Sequence, residues 1–278
     1  MRLGVIGYGV VGSATADVLR RLGHSVFVSD TAPARLAAAK EQGFGLRPDA
    51  PDIDVDFVCV PEAFAAEAIT SLPDGSTIVL RSTVIPGTTD RLATELGRPL
   101  LFMPEFLREA TAAWDALNPN LVLIGSHDAE TGNLVGSIFT PLLAKVIVVQ
   151  PAVAEMVKLS LNSYLHTIIS FWNEIHLICE RIGLPSHLVG RLCAEDPRVP
   201  SYGAVMHGGP VGGRCLPKDL AQLIGFAQEL QYSPDLLLQA QAVNEKLVAK
   251  EPASNSNGHH PVEPTPEIIP NYVLRVQP

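Results

Sequence analysis

The stretch GGRCLPKD, from Gly212 to Asp219, sets Cys215 between two glycines and Pro217, with Lys218 and Asp219 directly behind. Proline suits the first position of a helix, where its missing N–H has no role. Cys215 is therefore expected just before a helix, where the dipole, the unpaired amides and Lys218 all favour a thiolate. Glycines at 208, 209, 212 and 213 let a ligand approach the backbone. The alternative is an inert buried thiol beside a loop. That is the reading given to Cys59, Cys179 and Cys193, which lie in apolar strand or helix contexts.

A second set of reactive types is spaced for a helix. Glu155, Lys158 and Asn162 recur at i, i+3 and i+7, so they share one face. An exposed Glu–Lys pair would mean little, but the surrounding segment is too apolar all round to lie free in water. A buried Lys and Asn one turn apart can polarise an oxygen together. A third set opens the chain: Gly7-Tyr8-Gly9-Val10-Val11-Gly12 follows an apolar strand and precedes a helix. Gly7 permits the tight turn, Gly9 lets a pyrophosphate approach, and Gly12 lets the helix pack on the strand, whose neighbouring helix N-terminus faces the phosphates. Asp30 ends the next strand, where a carboxylate binds a ribose 2′-hydroxyl and repels a 2′-phosphate, favouring NAD over NADP. The competing reading is a glycine turn without cofactor. Arg35 either leans over the adenine or is a solvated arginine on a helix surface.

These groups need a scaffold of two kinds. Residues 1 to about 150 alternate helix-like segments with continuous Val/Ile-rich runs at Leu3–Gly7, Val26–Ser29, Val55–Val60, Thr77–Ser82, Leu121–Gly125 and Val146–Val149. Runs buried on both faces imply a parallel sheet covered by helices, hence an α/β fold with a doubly wound, Rossmann-type domain. From Ala152 a segment of roughly 30 residues, broken by neither proline nor glycine until Gly183, reads as one long helix opening an all-helical domain at 151–250. Shorter helices are expected at Ser186–Ala194, Pro217–Leu230 and Pro234–Lys250. Residues 251–278, rich in Pro, Ser and Asn, read as a flexible tail with a short strand at NYVLRV. The net charge of −9 without a basic run excludes a non-specific nucleic-acid binder. Four scattered cysteines suggest neither a metal site nor a disulfide framework. No signal peptide or membrane span is legible, so the expected setting is soluble, reducing and cytoplasmic.

Ordered motifs along residues 1–250 resemble the UDP-glucose/GDP-mannose dehydrogenase family. They are the glycine motif with Asp30, STVIPGT (Ser82–Thr88), PEFLREATAAWDALNPN (Pro104–Asn120), EMVKLSLNSY (Glu155–Tyr164), NEI (Asn173–Ile175), DPRV (Asp196–Val199) and GGRCLPKD. The resemblance implies oxidation of a sugar-nucleotide primary alcohol to a carboxylate with two NAD and one water, with Cys215 forming a thiohemiacetal and then a thioester. It assigns Lys158 and Asn162 to the oxyanion, and Glu105, Thr83 and Asp219 to the proton and the water. It places Gly7, Gly9, Val11, Gly12, Asp30, Arg35, Thr83 and Glu109 around NAD, and Glu105, Leu107, Lys158, Asn162, Arg198 and Gly212 around the substrate. Arg198 matches an arginine that reaches a neighbouring subunit's sugar site, implying a homodimer built on the long helix. Three departures stand out: Val211 replaces an aromatic residue, Pro61-Glu62 replaces a Thr-Pro, and the family's third, base-binding domain does not follow Lys250. They leave open a nucleotide sugar or a smaller nucleotide- or sugar-like alcohol. Two other readings remain. One is a two-electron enzyme of the 3-hydroxyacid/6-phosphogluconate dehydrogenase type, which shares the Lys-x-x-x-Asn pair but gives Cys215 no role. The other is a non-catalytic NAD-binding partner subunit.

Overall fold

The computed structural model of the chain describes residues 1–47, 52–213 and 215–250. The Val/Ile runs form the strands expected of them: β1 (Arg2–Ile6), β2 (Ser25–Ser29), β4 (Val55–Val58), β5 (Thr77–Leu80), β7 (Leu121–Gly125) and β8 (Lys145–Val149). Two very short strands join them, β3 (Gly45–Leu46) and β6 (Leu100–Phe102). Among the described residues they make one sheet in the order β3-β2-β1-β4-β5-β6-β7-β8. Every neighbouring pair is parallel except β6 and β7, which meet antiparallel through Phe102 and Gly125. The inner strands are buried along nearly their whole length, as covering by helices on both faces requires, whereas the terminal strand β8 is only half-buried. The covering helices are α1 (Val10–Arg21), α2 (Pro33–Glu41), α3 (Ala65–Thr70), α4 (Thr88–Leu96), α5 (Ala112–Leu117) and α6 (Ala129–Ile138).

The order reverses direction between β1 and β4, the point at which open α/β sheets hold ligands beyond the carboxyl ends of their strands. Gly7, Asp30, Cys59, Arg81 to Thr83 and Met103 to Glu105 all follow strand ends on that edge. Below it, Asp56 lies fully buried within β4 and receives both Nε and Nη2 of Arg47, at 2.9 and 3.0 Å. The pair occupies the space beside Gly4, where a Cβ would stand 1.8 Å from Asp56 Oδ1. A charge inside a Val-rich run is tolerated here because the bidentate geometry replaces the water that both ions lose.

The long helix α7 spans Pro151–Ile182 and ends at Gly183, whose φ of 69° is the left-handed stop that glycine provides. The helices α8 (Ser186–Cys193), α9 (Ser201–Val205), α10 (Cys215–Glu229) and α11 (Asp235–Val248) follow. Contacts divide the chain into two compact units, Met1–Tyr164 with Lys218–Pro234, and Leu165–Pro217 with Asp235–Pro278. The long helix therefore contributes to both. One expectation is corrected: α10 starts two residues before Pro217, so Cys215 is its first residue rather than its flank. Pro217 still falls in the first turn, where no intrahelical donor is lost. The Pro-rich segment 251–278, with its expected strand, lies outside the described residues. No helix among the described residues is long and apolar enough to cross a membrane.

The second unit is held by buried polar and aromatic side chains. Ser170 Oγ bridges α7 to α11 by donating to the Ala240 carbonyl at 3.1 Å and lies 3.3 Å from His166 Nδ1. His207, after α9, stacks on Trp172 of α7 and on His187 of α8, with ring centroids at 6.0 and 4.5 Å, and His176 of α7 lies 6.0 Å away. Burial drives His166 down to about 4, and burial with the neighbouring His187 and His176 does the same to His207. Both rings are neutral in the fold, while the unfolded chain takes up protons below about pH 6.5. Stability is therefore fully present above that pH and declines as pH falls toward 4. Urea unfolding should show a loss of about 1–1.5 kcal/mol per histidine between pH 6.5 and 5. The dependence should flatten in the His166→Gln, His207→Phe double variant, and a parent as stable at pH 5 as at pH 7 would refute it.

Candidate active site

The cradle at the first strand end has the shape a dinucleotide needs. Gly7 has φ of 89° and donates its N–H to the Ser29 carbonyl at 2.7 Å. A Cβ on Gly12 would meet the Gly7 carbonyl oxygen at 1.7 Å, so only glycine lets α1 come this close to β1. Gly9 is the N-cap of α1, with no side-chain cap and no acidic residue in the first turn, leaving the helix start open to an anion. Val11 is half-buried in the first turn. Asp30 directly follows β2 and accepts the Tyr8 and Ala32 N–H groups at 2.6 and 2.8 Å. Burial raises its carboxyl, but those two bonds and Arg35, 3.4 Å away, outweigh it and hold the group below the ordinary aspartate value. The glycine shape, the uncapped helix and the anionic Asp30 fit NAD, and they are unsuited to a 2′-phosphate.

The carboxyl end of β6 carries the central interaction. Lys158, from α7, is almost wholly buried, and its Nζ donates to Glu105 Oε1 at 2.8 Å and to the Glu105 backbone carbonyl at 2.7 Å. The other Glu105 oxygen accepts the Leu107 N–H at 2.8 Å. Burial pushes Glu105 up, but the Lys158 ammonium, the Leu107 N–H and the nearby Arg81 bring it below the ordinary glutamate value. One turn along α7, Asn162 Nδ2 donates to Asp219 Oδ2 at 2.5 Å, and Lys218 Nζ stands 2.6 Å from the other Asp219 oxygen. Asp219 is fully buried, Asn162 nearly so. The first unit thus assembles Glu105, Lys158, Asn162 and Asp219 into two linked donor–carboxylate pairs on one face of α7. Thr83 is half-buried just beyond β5.

The third member of the expected helical face acts differently. Glu155 is fully buried and turns to the start of α4, accepting the N–H groups of Gly87 and Thr89 and the Thr89 hydroxyl at 2.6, 2.8 and 2.6 Å. It caps that helix and leaves Lys158 to Glu105. Arg81, absent from the sequence reading, is buried at the end of β5 with Nη1 3.3 Å from Met103 Sδ. Its only sequence signal was a charge at the close of an apolar strand. In the second unit Cys215 and Gly212 are exposed, and Arg198 is bound to Asp196 at 2.6 Å with its side chain in solvent. Glu109 begins an exposed single turn. Among the described residues no group of three or more His, Cys, Asp or Glu is arranged to hold a metal ion.

Comparison with known proteins matches residues 47–143 to the NAD binding domain, and residues 152–246 to the central domain, of the UDP-glucose/GDP-mannose dehydrogenase family. The chain is 30% identical over 302 residues to the UDP-glucose 6-dehydrogenase AglM of Haloferax volcanii, covering 88% of this chain and 70% of that protein. It is 33% identical over 175 residues to the UDP-glucose 6-dehydrogenase YwqF of Bacillus subtilis, covering 60% of this chain and 40% of the relative. The solved UDP-glucose dehydrogenase of Pyrobaculum islandicum superposes with a TM-score of 0.79 at 26% identity, over 88% of this chain and 68% of that one.

Removing Lys158 strands a buried carboxylate. Lys158→Ala should cost about 3–5 kcal/mol in urea unfolding, and adding Glu105→Gln should recover part of that loss. Because the folded Glu105 carboxyl is depressed, the pair's contribution is present above the ordinary glutamate pKa, about 4.3, and fades as pH drops through the folded value. A Lys158→Ala protein as stable as the parent at neutral pH would show that the pair carries no such energy.

Proposed function

Because the chain belongs to the UDP-glucose/GDP-mannose dehydrogenase family of NAD-dependent oxidoreductases acting on CH–OH groups, we propose that it oxidises a primary alcohol to a carboxylate in two steps through Cys215. The substrate is a nucleotide sugar or a smaller nucleotide- or sugar-like alcohol. The carrying observation is the buried ammonium of Lys158, oriented by both oxygens that Glu105 offers it, with the Asn162 amide one turn away. A desolvated, fixed cation beside an amide donor stabilises an alkoxide far better than water does.

Gly7, Gly9, Val11, Gly12 and Asp30 would hold NAD, which would supply the hydride acceptor, one NAD for each oxidation. Arg35, Thr83 and Glu109 line the same proposed cofactor site. In the first step Lys158 and Asn162 hold the substrate oxygen while the adjacent carbon loses its hydride, and the hydroxyl proton leaves to water by way of Glu105, Thr83 and Asp219, giving the aldehyde. The Cys215 thiolate then adds to the aldehyde carbon, making it tetrahedral and able to lose a second hydride, which leaves a thioester. Glu105, with Thr83 and Asp219, orients the water that cleaves the C–S bond, yielding the acid and restoring the thiol. Leu107, Arg198 and Gly212 complete the proposed substrate contacts. An apolar groove of about 800 Å3 in the first unit, lined by Val153, Met156, Leu161 and Tyr164 of α7 with Phe226 of α10 and Leu230 just beyond it, supports a homodimer along the long helix. Light scattering should return twice the 29.7 kDa chain mass, and a concentration-independent monomer would remove that part of the proposal.

With UDP-glucose and GDP-mannose as probes, about two NADH per acid formed are expected, and Cys215→Ser should stall at the aldehyde with a loss of roughly 10³-fold or more in acid formation. One NADH per turnover, or acid made at the parent rate by Cys215→Ser, would sink the two-step route.

A further inference from the structure

We infer that Asn173 of α7 and Asn244 of α11 form a two-point clamp on the backbone of loop 208–211, and that this clamp positions Cys215 four residues further on. The inference rests on the reading of Cys215 as the nucleophile. All the residues of the clamp lie in the second unit. Asn173 is fully buried and uses both ends of its amide: Oδ1 accepts the Gly208 N–H at 2.8 Å, and Nδ2 donates to the Gly209 carbonyl at 2.9 Å. Asn244, also buried, accepts the Val211 N–H at 2.6 Å and directs Nδ2 toward the Val211 carbonyl at 3.4 Å.

A carboxamide supplies a donor and an acceptor together, and the two of them spend their polar groups on one four-residue loop, Asn173 through both ends and Asn244 chiefly through its acceptor at 2.6 Å. The loop needs holding. Gly208 has φ of 104°, and Gly213, just before the helix of Cys215, has φ of 76°, so the segment has glycine freedom at both ends. Without outside bonds such a segment samples many conformations, and the thiol samples them with it. The clamp grips backbone atoms alone. Its hydrogen bonds at position 211 therefore do not depend on the side chain there. Asn173 and Asn244 are positioning residues, since neither is placed on a reacting atom.

The test needs no substrate. Cys193, exposed on α8 of the same unit, serves as an internal reference. The full chain and its Asn173→Ala, Asn244→Ala and Asn244→Asp variants are treated with iodoacetamide between about pH 6 and 9, and the Cys215:Cys193 alkylation ratio is read by peptide mass spectrometry. Each alanine variant should change that ratio, or displace its pH profile, by about fivefold or more, the equivalent of one hydrogen bond. Asn244→Asp, which keeps the acceptor for the Val211 N–H, should remain within about twofold of the parent, and NAD affinity should be unchanged in all. An unaltered ratio in both alanine variants overturns the clamp. So does an Asn244→Asp protein as altered as Asn244→Ala, and this comparison with the parent decides the matter alone where an alanine variant does not fold. Cys215→Ser assayed on the aldehyde separates the two claims: parent-like oxidation removes the nucleophile reading, while the alkylation ratio still judges the clamp.

Discussion

The proposed chemistry depends on the buried ion pair of Lys158 and Glu105, from which water is nearly absent. Lys158 is 3% exposed, and its two hydrogen bonds both end on one residue, Glu105. A buried ion is tolerated only when its partner is equally buried and the remaining polar atoms are satisfied. Here the Leu107 N–H occupies the second carboxylate oxygen, and the ion pair fixes the position of the turn after β6 relative to α7. The same constraint orients the next turn of the helix, where Asn162 meets Asp219. A cation prepared in this way needs no reorganisation when negative charge develops on an adjacent oxygen.

The sheet supplies what the ion pair cannot. Its strands bring a glycine cradle, an aspartate and the Glu105 turn to one edge, and the reversal of strand order between β1 and β4 opens the crevice there. Close packing at Gly12 and Gly4 shows how little slack that arrangement has. Glu155 ties α7 to the start of α4, so the helix bearing Lys158 is anchored to the sheet domain one turn before the site begins.

The sheet was legible where apolar runs were long and continuous. It was not legible at β3 and β6, because strands of two and three residues carry no periodicity, nor in the antiparallel β6–β7 pairing, since a buried run has no readable direction. The residue types of the site were readable from their motifs, and the spacing of Lys158 and Asn162 located them on one helical face. Their partners were not readable: Glu105 is 53 residues away from Lys158 and Asp219 is 57 from Asn162, separations that only the folded chain closes. Glu155 illustrates the limit. Helical spacing put it beside Lys158, but the amides of Gly87 and Thr89 and the Thr89 hydroxyl offered its carboxylate three donors and took it instead. Asn173 stood in the NEI motif but with no role attached, and Asn244 left no signature, because an amide that binds backbone looks the same in sequence as one that faces solvent.

The central claim is that Cys215 carries the substrate as an acyl group. Rapid acid quenching of the enzyme with NAD and UDP-glucose or GDP-mannose, followed by mass spectrometry of the peptide containing Cys215, tests it most directly. The account predicts a transient acyl adduct on Cys215 that rises with the second NADH and decays as the acid appears. Full acid production with Cys215 unmodified throughout would contradict it.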